Sequence, residues 1–125
     1  MNQIVLISAI ILGASAIIMG AFGAHALKKI LDLERLSSFE IGVRYQMYAA
    51  LTLLVLGFNL TFENSLEIWA FYGILLGTLL FSGSIYLLSF KNYWKINLKF
   101  LGPITPIGGL LLVIGWLLLL ISLFN

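Results

Sequence analysis

The chain has 125 residues, 62% of them hydrophobic and only 10% charged, whereas a soluble domain is roughly half apolar and a quarter charged. With a mean hydropathy of +1.10, the apolar surplus has nowhere to go except lipid, which excludes an ordinary water-soluble fold. The formal charge of +2 comes from Lys and Arg confined to two short connections between apolar runs, a topology signal that excludes a nucleic-acid footprint.

At this length one compact unit covering 1–125 is expected. No cysteine is present, so disulfides, a thiolate nucleophile and cysteine metal sites are excluded. From Gln3 to Leu27 there is no charged residue, and about 20 apolar residues cross a hydrocarbon core of about 30 Å. This predicts a first transmembrane helix over 3–27. Ala14-Ser15-Ala16 has the small-x-small form of a signal-peptide cleavage site, but Met1-Asn2-Gln3 offers no basic n-region and the apolar run continues past it. The segment therefore reads as a retained span.

Lys28 to Arg44 mixes seven charges with Ile30, Leu31, Leu33, Leu36 and Phe39. Both an amphipathic segment lying in the interface and a short solvated loop suit that mixture. Ser37 followed by Glu40 has the capping-box spacing and places the start of the second helix near Ser38, running to Leu60. A complete span must draw in Arg44 and Gln46, with Arg44 snorkelling to the headgroups. Thr61 to Glu67 is a turn with two acids and no base, and a third helix follows over 66–90. In the second basic connection, Lys91 to Lys99, Tyr93 and Trp94 read as interfacial anchors. Thr105-Pro106 offers an N-cap and a first-position proline for a fourth helix over 106–124. The fold predicted is all-α, an integral membrane bundle of four antiparallel transmembrane helices.

All seven basic residues fall in the connections after the first and third helices. The positive-inside rule puts connections 28–44 and 91–105 in the cytoplasm and both termini outside the plasma membrane. In an antiparallel bundle the ends of helices one and three face the starts of helices two and four. One layer then collects His25, Glu40, Arg44, Tyr45, Gln46 and Tyr48 with Ser82, Ser84, Tyr86 and Thr105, the candidate contacts for a ligand or a lipid.

Gln46 is expected to point inward and bond across helices, because an amide facing lipid is unsatisfied. Glu40 and Arg44 can pair at i,i+4. One histidine builds no metal site; no metal or cofactor is expected, and His25 reads as a hydrogen-bonding residue at a helix end. Small residues mark packing faces: Gly13, Gly20, Gly23 and Ala24 on the first helix, Gly73, Gly77 and Gly83 on the third, and Gly108, Gly109 and Gly115 on the fourth.

Gly20-Ala21-Phe22-Gly23-Ala24-His25, Gly42-x-Arg44-Tyr45-Gln46, Leu80-Phe81-Ser82-Gly83-Ser84-Ile85-Tyr86, and Thr105-Pro106-Ile107-Gly108-Gly109 with Gly115-Trp116 together resemble the YgdD/YwdK family of small membrane proteins, domain of unknown function 423. The resemblance covers essentially the whole chain and implies a four-helix membrane fold without assigning a reaction. Relatives in that family commonly carry a second histidine where this chain has Ala49, so a two-histidine mechanism does not carry over.

Two readings of function follow. In the first, the chain is a non-enzymatic membrane protein whose polar layer serves helix packing and lipid-headgroup contact, with the glycine faces available for a homo-oligomer. The alternative is a small-solute or ion transporter or binding protein using the same layer, its ligand unspecified. An enzyme is disfavoured, since Ser82 and Ser84 have no adjacent base in the sequence. Membrane lipids are the expected partners.

Overall fold

A computed structural model describes residues Met1–Asn125. Four helices are long and apolar enough to cross a membrane: α1 (Asn2–Ala24), α2 (Leu33–Asn59), α3 (Ser65–Ser89) and α5 (Ile104–Ser122), with a single-turn α4 (Lys91–Trp94) before the last. At 1.5 Å per residue they measure about 35, 40, 38 and 28 Å, so α1, α2 and α3 all exceed a hydrocarbon core of about 30 Å, α2 by the most. There is no strand, and the architecture is an antiparallel helical bundle.

The helices pack in chain order. α1 lies on α2, α2 on α3, and α3 on α5. A core of Val5, Ala9, Leu12, Ala49, Ala50, Leu53, Phe62, Phe71 and Ile74 joins the first three helices. The last joins through a different device. At its crossing with α3, a Cβ on Gly73 would meet Gly115 Cα at 3.2 Å, one on Gly77 would meet Gly108 O at 2.9 Å, and one on Gly108 would run into the backbone of Phe81. The two backbones touch, which yields dispersion contact where burial from water gives no driving force. Only Gly108 and Gly115 of α5 are buried. These faces, read as available for a second copy, are filled within the chain.

Two helix starts differ from expectation. α2 begins at Leu33, five residues before Ser38, because Asp32 caps it: Arg35 N–H donates to Asp32 Oδ1 at 2.8 Å. Ser38 is already inside the helix, donating to Glu34 O. The extra turns are held by a second cluster in which Leu36 and Phe39 of α2 bury against Leu27 and Leu31. The stretch 33–44 is therefore helical, neither a loop nor a separate interfacial segment. α5 begins at Ile104, and Thr105 is not its cap; its hydroxyl is taken by Ser84. Pro106 falls in the first turn, where its missing N–H removes no intrahelical bond.

The turns are specified locally. Asn2 Nδ2 donates to Gly57 O at 3.1 Å and Leu60 O at 2.6 Å, satisfying carbonyls that the end of α2 leaves open. Asn64 caps α3 by accepting from Leu66 N–H. Phe62 adopts φ 57°, a conformation bulky residues avoid. It is held there by burial in the core and by its N–H bond to Glu67 Oε2 at 3.0 Å.

Candidate functional site

The expected polar layer divides into an inner network and an outer set. Gln46 stands on the face of α2 that carries Gly42, Ala49, Ala50 and Leu53 into the interior, and it is only 6% exposed. Its amide donates to Leu12 O at 2.9 Å and to Ser15 Oγ at 2.7 Å on α1. Its carbonyl accepts from the Tyr86 hydroxyl of α3 at 2.7 Å. One side chain thus ties three helices. Ser82 donates to Gly42 O at 2.7 Å, and Ser84 and Thr105 share a hydrogen bond of 2.6 Å, which brings α5 into the same set. No buried side-chain polar atom lacks a partner, as a low-dielectric interior requires.

This network reaches deeper than the expected layer. Gln46 meets α1 at Leu12 and Ser15, the middle of that helix, about 8–12 Å from Gly20 along the axis. Ser15 is the member sequence reasoning missed. Its hydroxyl also donates to Ile11 O at 2.7 Å, the local back-bond a serine in a helix is ordinarily credited with, so nothing in the sequence announces its second partner.

His25, Glu40, Arg44, Tyr45 and Tyr48 lie outside the network, all exposed. His25 ends α1, its backbone N–H on Ala21 O and Phe22 O; its imidazole has no hydrogen-bond partner, contrary to the role expected for it. Arg44 and Glu40 approach to 3.9 Å across one turn, a surface pair of little energetic weight. They stand beside a small notch over Gly20 and Gly23. A Cβ on either glycine would meet only side chains, Val43 or Phe39, at 3.4 Å.

The glycines also sort unevenly. Gly13 and Gly109 make ordinary contacts at 3.6 Å, and nothing approaches Gly83 within 4 Å, so these three do not act as close-packing positions; Ala24 is exposed. Two that were not singled out for packing do so act. A Cβ on Gly42 would stand 2.8 Å from the Tyr86 ring, and one on Gly57 would stand 2.7 Å from Leu6.

Beside the network, α2 and α5 are held apart across α3, leaving a groove of about 690 Å³. It is walled by Tyr45, Tyr48 and Thr52 on one side and by Gly109, Val113, Trp116 and Leu117 on the other, over Ala49, Ile74, Phe81 and Leu112. The Tyr45 ring packs on Phe81 at 4.9 Å. Chemically, the inner network can hold helices but has no free group to offer. Ser82 and Ser84 bond a carbonyl and another hydroxyl, not a base, and no three His, Asp or Glu side chains converge.

The family described as "Protein of unknown function (DUF423)" matches residues 19–109, the stretch that contains Gly42, Gln46, Ser82, Ser84, Tyr86 and Thr105. The UPF0382 membrane protein SH2409 of Staphylococcus haemolyticus is 43% identical over 121 residues, covering 93% of this chain and 94% of its own. The UPF0382 membrane protein SAB0533 of Staphylococcus aureus is 42% identical over the same length and the same shares. The UPF0382 inner membrane protein YgdD of Escherichia coli K12 is 33% identical over 124 residues, 97% of this chain and 89% of its own. No solved structure gives a significant match. Four apolar spanning helices, a polar network drawn mostly from the matched stretch and similarity over more than nine-tenths of the chain to membrane proteins of bacteria converge: the chain belongs to the DUF423 family of bacterial membrane proteins.

Proposed function

We propose that the protein is non-enzymatic and that its basic end engages anionic lipid headgroups, while the buried network holds the helices in register beneath it. The observation that carries this reading is the connection between α3 and α5. Lys91, Lys95 and Lys99 recur at four-residue steps, and Tyr93, Trp94, Ile96 and Phe100 among them are exposed. Trp94 stacks on Phe90 at 5.0 Å, and Lys95 in the left-handed conformation ends α4. Arg44 is the only basic residue of the chain within reach of a carboxylate, so the three lysines are free for external anions. A basic segment with outward apolar side chains suits the headgroup boundary, each lysine contributing about 1 kcal/mol against an anionic surface.

In this reading, connections 28–44 and 91–105 face the cytoplasm and both termini face outside. The transport alternative has less support: the inner network is closed on itself, while His25 and Arg44 stand outside it. A homo-oligomer through Gly73, Gly77, Gly108 and Gly115 would have to part α5 from α3.

Tryptophan quenching tests the proposal. In a variant keeping only Trp94 (Trp69→Phe, Trp116→Phe), brominated phosphatidylglycerol should quench more strongly than brominated phosphatidylcholine. Replacing Lys91, Lys95 and Lys99 by Gln should remove that difference. Equal quenching by both lipids in the parent would refute anionic-headgroup contact.

A further inference from the structure

The groove between α2 and α5 is not explained by helix packing. Its volume of about 690 Å³ lies within the range of sites that take small molecules, about 300–1,000 Å³. Two of its residues are out of place for a membrane protein. Tyr and Trp gather at the interfaces, where ring and polar tip are both satisfied. Yet Tyr48 and Trp116 are each 57% exposed well inside their helices, Tyr48 in the middle turns of Leu33–Asn59 and Trp116 six residues before Ser122. Tyr86 is the only tyrosine whose hydroxyl has a protein partner, so Tyr45 and Tyr48 keep free donors beside the groove, which an acceptor bound there would satisfy.

Helical side chains lean toward their helix's N-terminus. For α2 that is the end of the bundle carrying all seven basic residues, so both rings lean toward the leaflet on that side.

We propose that the groove is a binding site for one phospholipid of that leaflet. An acyl chain lies along α2 and α5 over Ala49 and Leu112, the Tyr45 and Tyr48 hydroxyls donate to its ester carbonyls, and its phosphate faces the basic connections. The anionic character of the headgroup rests on the reading given under Proposed function; the acyl and ester contacts do not. A helix of a second copy fits less well. The rim carries bulky Tyr48, Val113, Trp116 and Leu117, not the small residues that admit a helix backbone.

Gly109 provides the test. It lines the groove, and a Cβ there meets only the Phe81 ring, at 3.6 and 3.8 Å, so Gly109→Leu fills the groove while sparing the α3–α5 crossing. Native mass spectrometry of the full chain, released from nanodiscs of equal phosphatidylglycerol and phosphatidylcholine, should show a single retained phosphatidylglycerol. Gly109→Leu should reduce that adduct about tenfold with an unchanged thermal midpoint. Tyr45→Phe with Tyr48→Phe should weaken retention severalfold. If Gly109→Leu proves less stable, Val113→Trp, at an exposed position on the same rim, serves in its place.

Wild-type retention in these groove-filled variants overturns the site, as does a dimer signal that they abolish. An adduct lost in Gly109→Leu but equally populated by both lipids supports the groove and overturns the anionic preference. A phosphatidylglycerol-selective adduct that survives groove filling does the reverse.

Discussion

Gln46 concentrates the polar energetics of this chain in one side chain, since its amide and carbonyl bond partners on α1 and α3. Interhelical hydrogen bonds in membranes average about 0.6 kcal/mol with a maximum near 1.7, because the separated helices also find partners. A double-mutant cycle of Gln46→Leu and Tyr86→Phe, read by reversible unfolding in mixed detergent micelles, should give a coupling in that range. A coupling indistinguishable from zero would mean that the bond at 2.7 Å contributes nothing to the fold. That Gln46 turns inward was legible, since an amide in an otherwise apolar run has no lipid-facing solution. Ser15 was not legible as its partner, because its local bond to Ile11 accounts for it already. Gly42 and Gly57 were also missed as packing residues: each accommodates one large side chain, Tyr86 or Leu6, and no periodicity marks such a site.

The type and number of the spanning helices followed from apolar run length; the structure adds where each is tied and where α2 begins. The start of α2 was misplaced because two caps compete in the sequence. Asp32 wins over Ser37, since Leu36 and Phe39 have a buried cluster to join. The crossing of α3 and α5 was better encoded: Gly73, Gly77, Gly108 and Gly115 are spaced at whole turns or a heptad, and all four meet backbone. Gly83, in the same Ser-Gly-Ser motif as two network residues, meets nothing. Gly108→Leu should therefore detach α5 and cost at least the 1–3 kcal/mol typical of overpacking, because a backbone cannot move aside. Gly83→Leu should be close to neutral. Disulfide trapping between cysteines placed on α3 and α5, together with thermal midpoints in detergent, would separate them; equal behaviour of the two variants would contradict the contact geometry.

At the level of the molecule, the charges are polarised along the bundle. All seven basic residues and three of the five acids lie at one end, with Glu63 and Glu67 at the other. The orientation we propose from this asymmetry is open to direct measurement. In intact cells an impermeant maleimide should label a cysteine at Asn125 and leave one at Asn97 unlabelled until the membrane is permeabilised. The opposite pattern would invert the topology and place the groove lipid in the other leaflet. Polarity of charge was fully legible in the sequence. The groove was not, because it depends on α5 seating against α3 alone, a relation between helices that no single helix records.

That each spanning helix after the first packs on the spanning helix made before it bears on how the protein comes into being. As α2 emerges, α1 already offers Leu12 and Ser15 to Gln46; as α3 emerges, Gly42 and Gln46 are waiting for Ser82 and Tyr86; α5 needs only α3. No helix has to wait for a distant partner, and contacts of short sequence separation form fast. Assembly can therefore keep pace with synthesis, and at no stage need a buried amide or hydroxyl stand alone in the bilayer.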